Sequence, residues 1–354
     1  METKVAVAMS GGVDSSAAAW LLREQGWALA GVTMDLTGEG ACAPAVRDAR
    51  AVAEQLGIPH HTLALCQAFR EAVIDPFVRE YEAGRTPNPC VVCNRRLKFG
   101  ALLERCRELG LDAVATGHYV RLDYDPGSGR YLLKKASHLD KDQSYVLYSL
   151  TQDQLAHSRF PLGGLSKEEV RALALEAGLP CAHREESQDI CFIPDGDYPA
   201  FLRRYTGRDY PGGPFLDEAG NLLGRHQGLV NYTVGQRRGL GVSSNHGRLY
   251  VKELRPEDNA VVLCENQSLF SSVLTARAPN FLPFDRLDAP LRLRAKIRYR
   301  MTEQPCTVEQ TGPDTLLVRF DTPQRAITPG QAVVFYDGDV VVGGATIWKG
   351  ASPI

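Results

Sequence analysis

Long apolar runs are missing from this sequence. No segment approaches the roughly 18 uninterrupted apolar residues that a membrane-spanning helix needs. The start of the chain, Met1 to Lys4, also lacks the basic region, the long apolar region and the small-residue cleavage site of a secretory signal. These absences argue against membrane insertion and predict a cytoplasmic protein.

A general positive field is also absent, because 40 basic and 42 acidic side chains nearly cancel to a net charge of -2. Any binding of nucleic acid must therefore come from a local patch of cations. Nine cysteines, an odd number in a chain expected in the cytoplasm, favour buried or reactive thiols over a disulfide framework. The length of 354 residues predicts two or three domains.

Up to residue 204, short β-rich apolar runs alternate with longer helical patterns, which predicts a doubly wound α/β domain with a parallel sheet. Helical periodicity then fades between Gly and Pro residues, so we expect a small β-rich middle domain over 205–275 and a C-terminal β-barrel-like domain over 276–354. In the first domain, the predicted strands are Val5–Met9, Leu29–Met34, His60–Leu65 and Ala113–Thr116, and the predicted helices are Ala17–Gln25, Ala45–Leu56, Gln67–Ala83 and a helical stretch over Thr151–Leu179.

A glycine-rich loop, Ser10 to Ser16, joins the first predicted strand to the first helix and is suited to hold phosphates. Its glycines let the backbone approach an anion, and its N–H groups, its hydroxyls and the helix N-terminus supply donors. It is not a Walker A loop, because Val13-Asp14-Ser15 stands where that motif has Gly-Lys-Ser/Thr. A carboxylate in an anion-binding loop is costly unless a cation shares the site, so we predict Mg²⁺ at Asp14.

The plain alternative for this loop is an ordinary strand-to-helix turn with Ser and Asp caps. Against it, two glycines, a carboxylate and paired serines coincide at the first strand–helix junction, where ligands of open α/β sheets bind. The loop resembles the signature of the N-type ATP pyrophosphatases, or PP-loop proteins, which cleave ATP between its α and β phosphates and adenylate a substrate oxygen. We therefore predict ATP as a cofactor and a role for Asp14 in catalysis. The predicted nucleotide site comprises Ala8, Met9, Ser10, Gly11, Gly12, Val13, Asp14, Ser15 and Ser16.

Two segments carry cysteines in a functional pattern. The sequence NPCVVCN places Cys90 and Cys93 on a proline-stiffened connection before a helical stretch that is predicted from Arg95. A helix N-terminus lowers the pKa of a cysteine, and Cys93 is best placed for this effect. Cys191 lies in the segment CFI, where a cysteine taken alone is more often a core residue.

Six motifs follow one another in a single order: SGGVDSS, NPCxxCN with Lys98-Phe99 after it, ATGHY, KDQSY, SQDICFI and TVGQRRGLG. Together they resemble the tRNA-specific 2-thiouridylases of the MnmA type over essentially the whole chain. The resemblance implies that the 2-oxygen of the wobble uridine in tRNA is adenylated by ATP and replaced by sulfur. It also implies that Cys93 is the nucleophile and that Cys191 carries a persulfide, with sulfide or a persulfide sulfur-carrier protein as the sulfur source.

In this chemistry, adenylation makes AMP the leaving group, and the terminal sulfur of the Cys191 persulfide attacks C2 of the uridine. Cys93 then resolves the persulfide in a transient disulfide, which a reductant must break.

One position departs from the better-known form of the family, in which an Asp stands in place of Cys90. With this third cysteine, the sequence resembles the iron–sulfur tRNA thiolases. That resemblance implies a [4Fe–4S] cluster on Cys90, Cys93 and Cys191, with an open iron that binds sulfide. Structural zinc is disfavoured, because no second C-x-x-C or His pair completes a tetrahedral site. The persulfide and cluster routes both stay open.

Five cations alternate with apolar residues between Leu291 and Arg300. On a strand this spacing puts them on one face, about 6.6 Å apart, which predicts a ridge that follows RNA phosphates. The alternative is a solvated strand face whose cations pair with carboxylates across the sheet. The five cations are Arg292, Arg294, Lys296, Arg298 and Arg300.

The family resemblance also implies a set of ligand contacts. Nucleotide contacts are implied for Met34 and Gly117, and tRNA contacts for His118, Lys141, Asp142, Gln143, Arg298, Tyr299 and Gln331. Taken alone, His118 would more often be structural, but its position at the predicted carboxyl edge of the sheet favours the site.

Two other functions remain open. A PP-loop synthetase that forms an amide or guanidino product needs the phosphate loop but neither the cysteines nor the cations. A nucleotide-regulated RNA-binding protein needs the cations but tolerates loss of the thiols.

Overall fold

Helices and strands alternate in the first half of the chain, and strands dominate the second half. The computed structural model describes residues 3–184, 190–242 and 247–350. The strands are β1 (Lys4–Ala8), β2 (Ala28–Asp35), β3 (His60–Ala64), β4 (Ala113–Ala115), β5 (Val120–Asp125), β6 (Arg130–Lys135), β7 (Ser158–Arg159), β8 (Pro214–Leu216), β9 (Leu222–Arg225), β10 (Tyr250–Arg255), β11 (Ala260–Cys264), β12 (Phe270–Phe281), β13 (Leu291–Lys296), β14 (Gln304–Gly312), β15 (Thr315–Arg325), β16 (Ala332–Asp337) and β17 (Val340–Gly350). The α-helices are α1 (Val13–Glu24), α2 (Pro44–Leu56), α3 (Cys66–Phe69), α4 (Asp75–Glu82), α5 (Pro89–Val92), α6 (Leu102–Glu108), α7 (Gln152–Ala156), α8 (Lys167–Glu176) and α9 (Tyr198–Thr206).

The N-terminal sheet has the strand order β3-β2-β1-β4-β7, and all neighbours in it pair in parallel. Val5, Ala6 and Val7 of the central strand β1 are fully buried, as expected for a strand that helices cover on both faces. The order reverses between β1 and β4, and ligands of such sheets bind at the carboxyl edge of that reversal. The predicted doubly wound α/β domain is confirmed.

The second half contains two further β structures. Strands β8 to β11 form a small sheet in the order β10-β11-β8-β9. Strands β12 to β17 follow the order β12-β15-β14-β13-β16-β17, and β12 also pairs with β17, which closes a barrel. The predicted β-rich middle domain and C-terminal barrel are therefore confirmed, whereas their boundaries at 205–275 and 276–354 stay predictions.

A hairpin of the first domain, β5 with β6, adds to the barrel sheet beside β17. Arg121 of β5 forms an ion pair with Asp339 at 2.7 Å, next to that junction. Leu133 of β6 is fully buried in the same apolar cluster as Tyr336 and Val341 of the barrel. The first and last domains are therefore joined by a shared sheet and a shared core.

The helical prediction over Thr151–Leu179 is wrong in its middle part. The short strand β7 interrupts it, because Ser158 and Arg159 pair in parallel with Val114 and Ala115 of β4. Helix α8 begins where its capping box predicts, since Ser166 accepts from the N–H of Glu169 and the Glu169 side chain accepts from the N–H of Ser166. Among the helices of the described residues, none has the length and apolarity to cross a membrane.

Truncation of Leu133 tests the junction between hairpin and barrel. We expect Leu133→Ala to lower the free energy of unfolding by about 2–5 kcal/mol, because it leaves a cavity in a packed core. Urea unfolding measures this change. As a control, Leu139→Ala at a residue 68% exposed should change the free energy by less than about 0.5 kcal/mol. Equal effects of the two substitutions would show that the junction does not support the fold.

Candidate active site

The predicted phosphate loop lies between β1 and α1, at the carboxyl edge of the sheet. Gly12 caps α1 without a side-chain hydrogen bond, which leaves the first N–H groups of the helix for an anion. The hydroxyls of Ser15 and Ser16 donate to the carbonyl of Gly12 at 3.1 and 2.9 Å, which holds the turn. Gly11 has a φ of +74°, and a Cβ there would lie 2.6 Å from the Cβ of Asp48. The loop geometry therefore requires glycine at this position.

The Asp14 carboxylate is held by two groups from distant parts of the chain. The hydroxyl of Tyr119 and the ammonium of Lys167 both donate to its Oδ1 at 2.7 Å. The Lys167 side chain is only 5% exposed, and its ammonium also lies 5.9 Å from the centre of the Tyr119 ring. The charge of Asp14, for which the sequence predicts Mg²⁺, is thus balanced by a lysine. No local motif points to Lys167, since its place depends on how α8 packs on the sheet.

Gly117 forms the opposite wall of the loop. A Cβ on Gly117 would lie 2.7 Å from the carbonyl carbon of Asp14 and 2.8 Å from the nitrogen of Ser15. Met9 follows Ala8 at the end of β1, and its N–H donates to the carbonyl of Val32 on β2. Met34 lies half-buried near the end of β2. The structure thus gathers the predicted nucleotide residues around one edge of the sheet.

The helix that carries the C-x-x-C begins earlier than the sequence predicts. It starts with α5 at Pro89, where the Asn88 side chain accepts from the N–H of Cys90 at 3.2 Å, and continues through a π-helical segment, Cys93–Ala101, into α6. Cys93 therefore lies one turn inside the helix. Burial raises the pKa of the Cys93 thiol to about 11, although the Lys98 ammonium opposes the shift. The prediction of a lowered pKa at a helix N-terminus is wrong, because desolvation outweighs the helix dipole.

The residue next to Cys191, Phe192, packs against the same apolar cluster as Cys93 of this helix. Burial and then the electrostatic effect of Cys90 raise the pKa of Cys191, and Cys191 and Cys90 both add to the raised pKa of Cys93. Cys90 and Cys191 are nevertheless exposed, and Cys93 is partly exposed. We call the surface region of Cys90, Cys93 and Cys191 the thiol cleft. Within the part of the chain that is described, no three His, Cys, Asp or Glu side chains are placed to hold a metal ion.

An aromatic cluster fixes the residue next to Cys191. The Phe192 ring lies 5.6 Å from that of Phe69 and 5.3 Å from those of Phe77 and Phe201, between centroids. These contacts anchor the backbone on the C-terminal side of Cys191. The preceding residues of the SQDICFI motif, Ser187 to Asp189, lie outside the described residues.

The structure agrees only in part with the predicted ridge of cations from Arg292 to Arg300. Leu293, Ala295 and Ile297 are buried, so the alternation is confirmed, but β13 ends at Lys296. The cations of the strand face carboxylates, which is the alternative interpretation. Arg292 pairs with Asp321 at 2.7 Å, Arg294 with Glu303 at 3.8 Å and Lys296 with Asp142 at 3.8 Å. The prediction of five cations on one strand face is therefore wrong beyond Lys296. The counter-charges come from Asp321 on β15, from Glu303 just before β14 and from Asp142 of the first domain.

Arg298 and Gln331 meet in a cavity of about 330 Å³ where all three domains come together. The guanidinium of Arg298 donates to the carbonyl of Ala326 at 2.6 Å, and the amide of Gln331 donates to the carbonyl of Thr86 at 2.8 Å. Thr86 precedes the connection that carries the C-x-x-C. The residues that line the cavity are Thr86, Thr233, Val234, Gly235, Arg298, Thr328 and Gln331.

Three of the other residues with predicted tRNA contacts, His118, Asp142 and Gln143, are held by internal hydrogen bonds. His118 is buried, with a hydrogen bond of 2.8 Å to Thr116, and burial holds its pKa well below the ordinary value, so the ring is neutral. Asp142 is buried and accepts from Ser144, and Gln143 accepts from the N–H of Tyr119. Lys141 ends a short 3₁₀ helix, and Tyr299 is 39% exposed.

The sheet, its glycine loop and the two β structures define a PP-loop α/β protein with a small middle β-sheet and a C-terminal barrel. Family models match in the same order: the tRNA methyl transferase HUP domain over residues 3–195, the tRNA methyl transferase PRC-barrel domain over 199–265 and the aminomethyltransferase beta-barrel domain over 271–347. The tRNA-specific 2-thiouridylase MnmA 1 of Caldanaerobacter subterraneus subsp. tengcongensis is 51% identical over 99% of both chains. The tRNA-specific 2-thiouridylase MnmA of Clostridioides difficile is 46% identical over 99% of both. The chain belongs to the tRNA-specific 2-thiouridylase MnmA family.

Among solved structures, the U34-tRNA thiolase NcsA from Methanococcus maripaludis with its [4Fe-4S] cluster is 20% identical, with a TM-score of 0.34 over 57% of this chain and 66% of that chain.

Gly117→Ala tests the wall of the phosphate loop. Its Cβ would overlap the backbone of Asp14 and Ser15, so we expect ATP to bind about tenfold or more weakly, as overpacking of this degree displaces backbone. Calorimetric titration with ATP measures the loss. Gly164→Ala is the matched control, because a Cβ there meets nothing within 4 Å. Unchanged ATP affinity in Gly117→Ala would place the nucleotide elsewhere.

Proposed function

We propose that this protein is an ATP-dependent tRNA 2-thiouridylase that uses the phosphate loop for adenylation and the thiol cleft for sulfur transfer. The observation that carries the proposal is that Cys93 and Phe192, the residue next to Cys191, pack against the same apolar cluster, although they come from segments about a hundred residues apart. A PP-loop synthetase has no need of such a cleft. The membership of the MnmA family supports the same activity.

ATP binds with its phosphates at the loop and the N-terminus of α1. The 2-oxygen of the wobble uridine attacks the α phosphorus, the α–β bridging bond breaks and pyrophosphate leaves. Asp14, with the ammonium of Lys167 beside it, keeps the local charge near neutral while the polyphosphate binds. Mg²⁺ accompanies ATP, and the partly exposed carboxylate of Asp14 is the ligand type that it prefers.

Sulfur transfer takes place in the thiol cleft. A persulfide donor converts the Cys191 thiol to a persulfide, whose terminal sulfur attacks C2 of the adenylated uridine and expels AMP. The Cys93 thiolate then attacks Sγ of Cys191, the bond between that Sγ and the transferred sulfur breaks, and 2-thiouridine remains with a Cys93–Cys191 disulfide. A dithiol reductant returns both thiols. Lys98 supports the Cys93 thiolate, since its charge lowers the pKa that burial raises.

The iron–sulfur prediction has the chemistry of the donors in its favour, because three thiols are the ligand set of a cluster with one open iron. Cys90, Cys93 and Cys191 would hold it, and it would supply an iron site for sulfide. The arrangement of the described residues is not a metal-ligand set, so the transfer above uses the thiols alone.

The tRNA lies across the cavity of Arg298 and Gln331, beside the connection to the C-x-x-C. Arg298, Tyr299 and Gln331 contact the RNA around the wobble position, and Lys141 approaches its backbone. His118, Asp142 and Gln143 support this surface from within, since their described hydrogen bonds are internal.

Replacement of the reacting thiols tests the proposal. In an assay with ATP, a persulfide donor and a tRNA that carries an unmodified wobble uridine, Cys93→Ser and Cys191→Ser should lower thiolation by about 10²-fold or more, because serine cannot form the sulfur bonds. Cys66→Ser, at another exposed cysteine, should stay within about twofold. Thiolation retained by either cleft variant would refute the mechanism, and tRNA binding without any thiolation would favour the RNA-binding alternative.

Cys90→Ser separates the two sulfur routes. If the persulfide route operates, the protein purified anaerobically contains no bound iron. Cys90→Ser should then thiolate tRNA within about threefold of the unsubstituted protein, because Cys90 takes no part in the exchange. The cluster route would be established if the unsubstituted protein contains iron and labile sulfide and if Cys90→Ser loses both, along with its thiolation activity.

A further inference from the structure

A second cavity, of about 470 Å³, is lined by residues of α9 and of the π-helical segment Arg70–Ile74. Two exposed arginines, Arg70 and Arg204, face it. Neither guanidinium forms a hydrogen bond or an ion pair with another described residue. On a protein with a net charge of -2, two such cations at one cavity make a local site for acidic groups.

The rest of the cavity wall is aromatic. The rings of Phe201 and Tyr205 stack at a centroid distance of 5.6 Å and an angle of 19°. The Tyr205 hydroxyl donates to Asp75 at 2.6 Å and is therefore already occupied. Arginine and aromatic side chains are the residue types that dominate binding energy at contacts between proteins. The cavity is thus suited to side chains of another protein.

RNA fits this surface less well. Glu71 follows Arg70 in the chain, and the Asp75 carboxylate lies against Tyr205 of the wall. An RNA strand carries a charge at every nucleotide and would meet these carboxylates, whereas a short acidic segment can place its carboxylates opposite the two arginines. Arg298 and Gln331, which are predicted to contact tRNA, line a different cavity.

The cavity lies against the aromatic cluster that anchors Cys191. Phe69 immediately precedes Arg70, and its ring lies 5.6 Å from that of Phe192. Phe201, which lines the cavity, lies 5.3 Å from Phe192 on another side. Phe192 follows Cys191, which is exposed. A protein bound at the arginines is therefore close to the thiol that receives sulfur.

We propose that Arg70 and Arg204 dock an acidic segment of the protein that delivers persulfide sulfur to Cys191. This inference rests on the proposed thiolation function. The Cys191 thiolate attacks the outer sulfur of the donor persulfide, the S–S bond of the donor breaks, and its electron pair leaves on the donor sulfur as a thiolate. Cys191 then carries the persulfide. Docking accelerates this exchange because it holds the two reacting sulfurs near each other.

Two synthetic persulfide donors test the docking role. One is a ten-residue peptide with Asp and Glu near its N-terminus and a cysteine persulfide at its C-terminus, and it spans roughly 33 Å when extended. The other has Asn and Gln in place of the acids. At low salt, we expect the acidic peptide to load Cys191 about 3- to 30-fold faster, the range that two exposed charge pairs supply. Mass spectrometry of the fragment that contains Cys191 measures the rate.

The double variant Arg70→Ala/Arg204→Ala should load at the same rate from both peptides, and so should the unsubstituted protein at about 0.5 M salt. The matched control is Arg171→Ala/Arg319→Ala, at two exposed arginines outside the cavity, which should keep the preference for the acidic peptide. Substitution of exposed arginines changes stability little, so all variants should fold.

A preference for the acidic peptide that persists in Arg70→Ala/Arg204→Ala would overturn the inference. Weaker tRNA binding in that variant, with its loading unchanged, would assign the surface to RNA and overturn it as well. If neither peptide loads Cys191 of the unsubstituted protein, the proposed function fails. Equal loading from both peptides in the unsubstituted protein at low salt refutes only the docking role.

Discussion

The ion pair between Asp14 and Lys167 is the interaction on which the arrangement of the site depends. A carboxylate at the N-terminus of α1 benefits from the helix dipole but opposes the binding of phosphates. Lys167 of α8 and the Tyr119 hydroxyl satisfy it from two other elements. The pair thereby joins α1 to α8, which packs on the same sheet. It also neutralises the one carboxylate of the phosphate loop, so that the loop can bind an anion.

The same carboxylate is connected to the barrel through a short series of hydrogen bonds. Tyr119 pairs its backbone with Gln143, and Ser144, one residue further on, bonds both Asp142 and the Tyr336 hydroxyl of β16. Lys296 of β13 also faces Asp142. The phosphate loop and the barrel are thus held at a fixed separation by polar contacts, as the proposed mechanism requires of a substrate that reaches both ATP and a thiol.

Local patterns predict the parts of this protein that depend on local geometry. The glycines of the phosphate loop, the capping box at Ser166 and the alternation in β13 all follow from spacing along the chain, and the structure agrees with them. Partners distant in sequence decide the rest. The counter-charge of Arg292 comes from Asp321 on another strand, and the hairpin of β5 and β6 finds its place on β17 only after the chain has folded. The position of Lys167 beside Asp14 cannot be predicted from local patterns for the same reason.

For Cys93, the rule that a helix N-terminus lowers a thiol pKa predicts the wrong direction of the shift. A helix dipole lowers a thiol pKa by acting on its end turns, but one turn inside the helix that effect is small and burial dominates, so the pKa rises. A thiol with a pKa of about 11 is mostly protonated near neutral pH and is a poor nucleophile. Burial therefore disfavours the reactive thiolate form of Cys93. In the proposed sulfur transfer, Lys98 is the cation that supports the thiolate, because its charge lowers the pKa of Cys93.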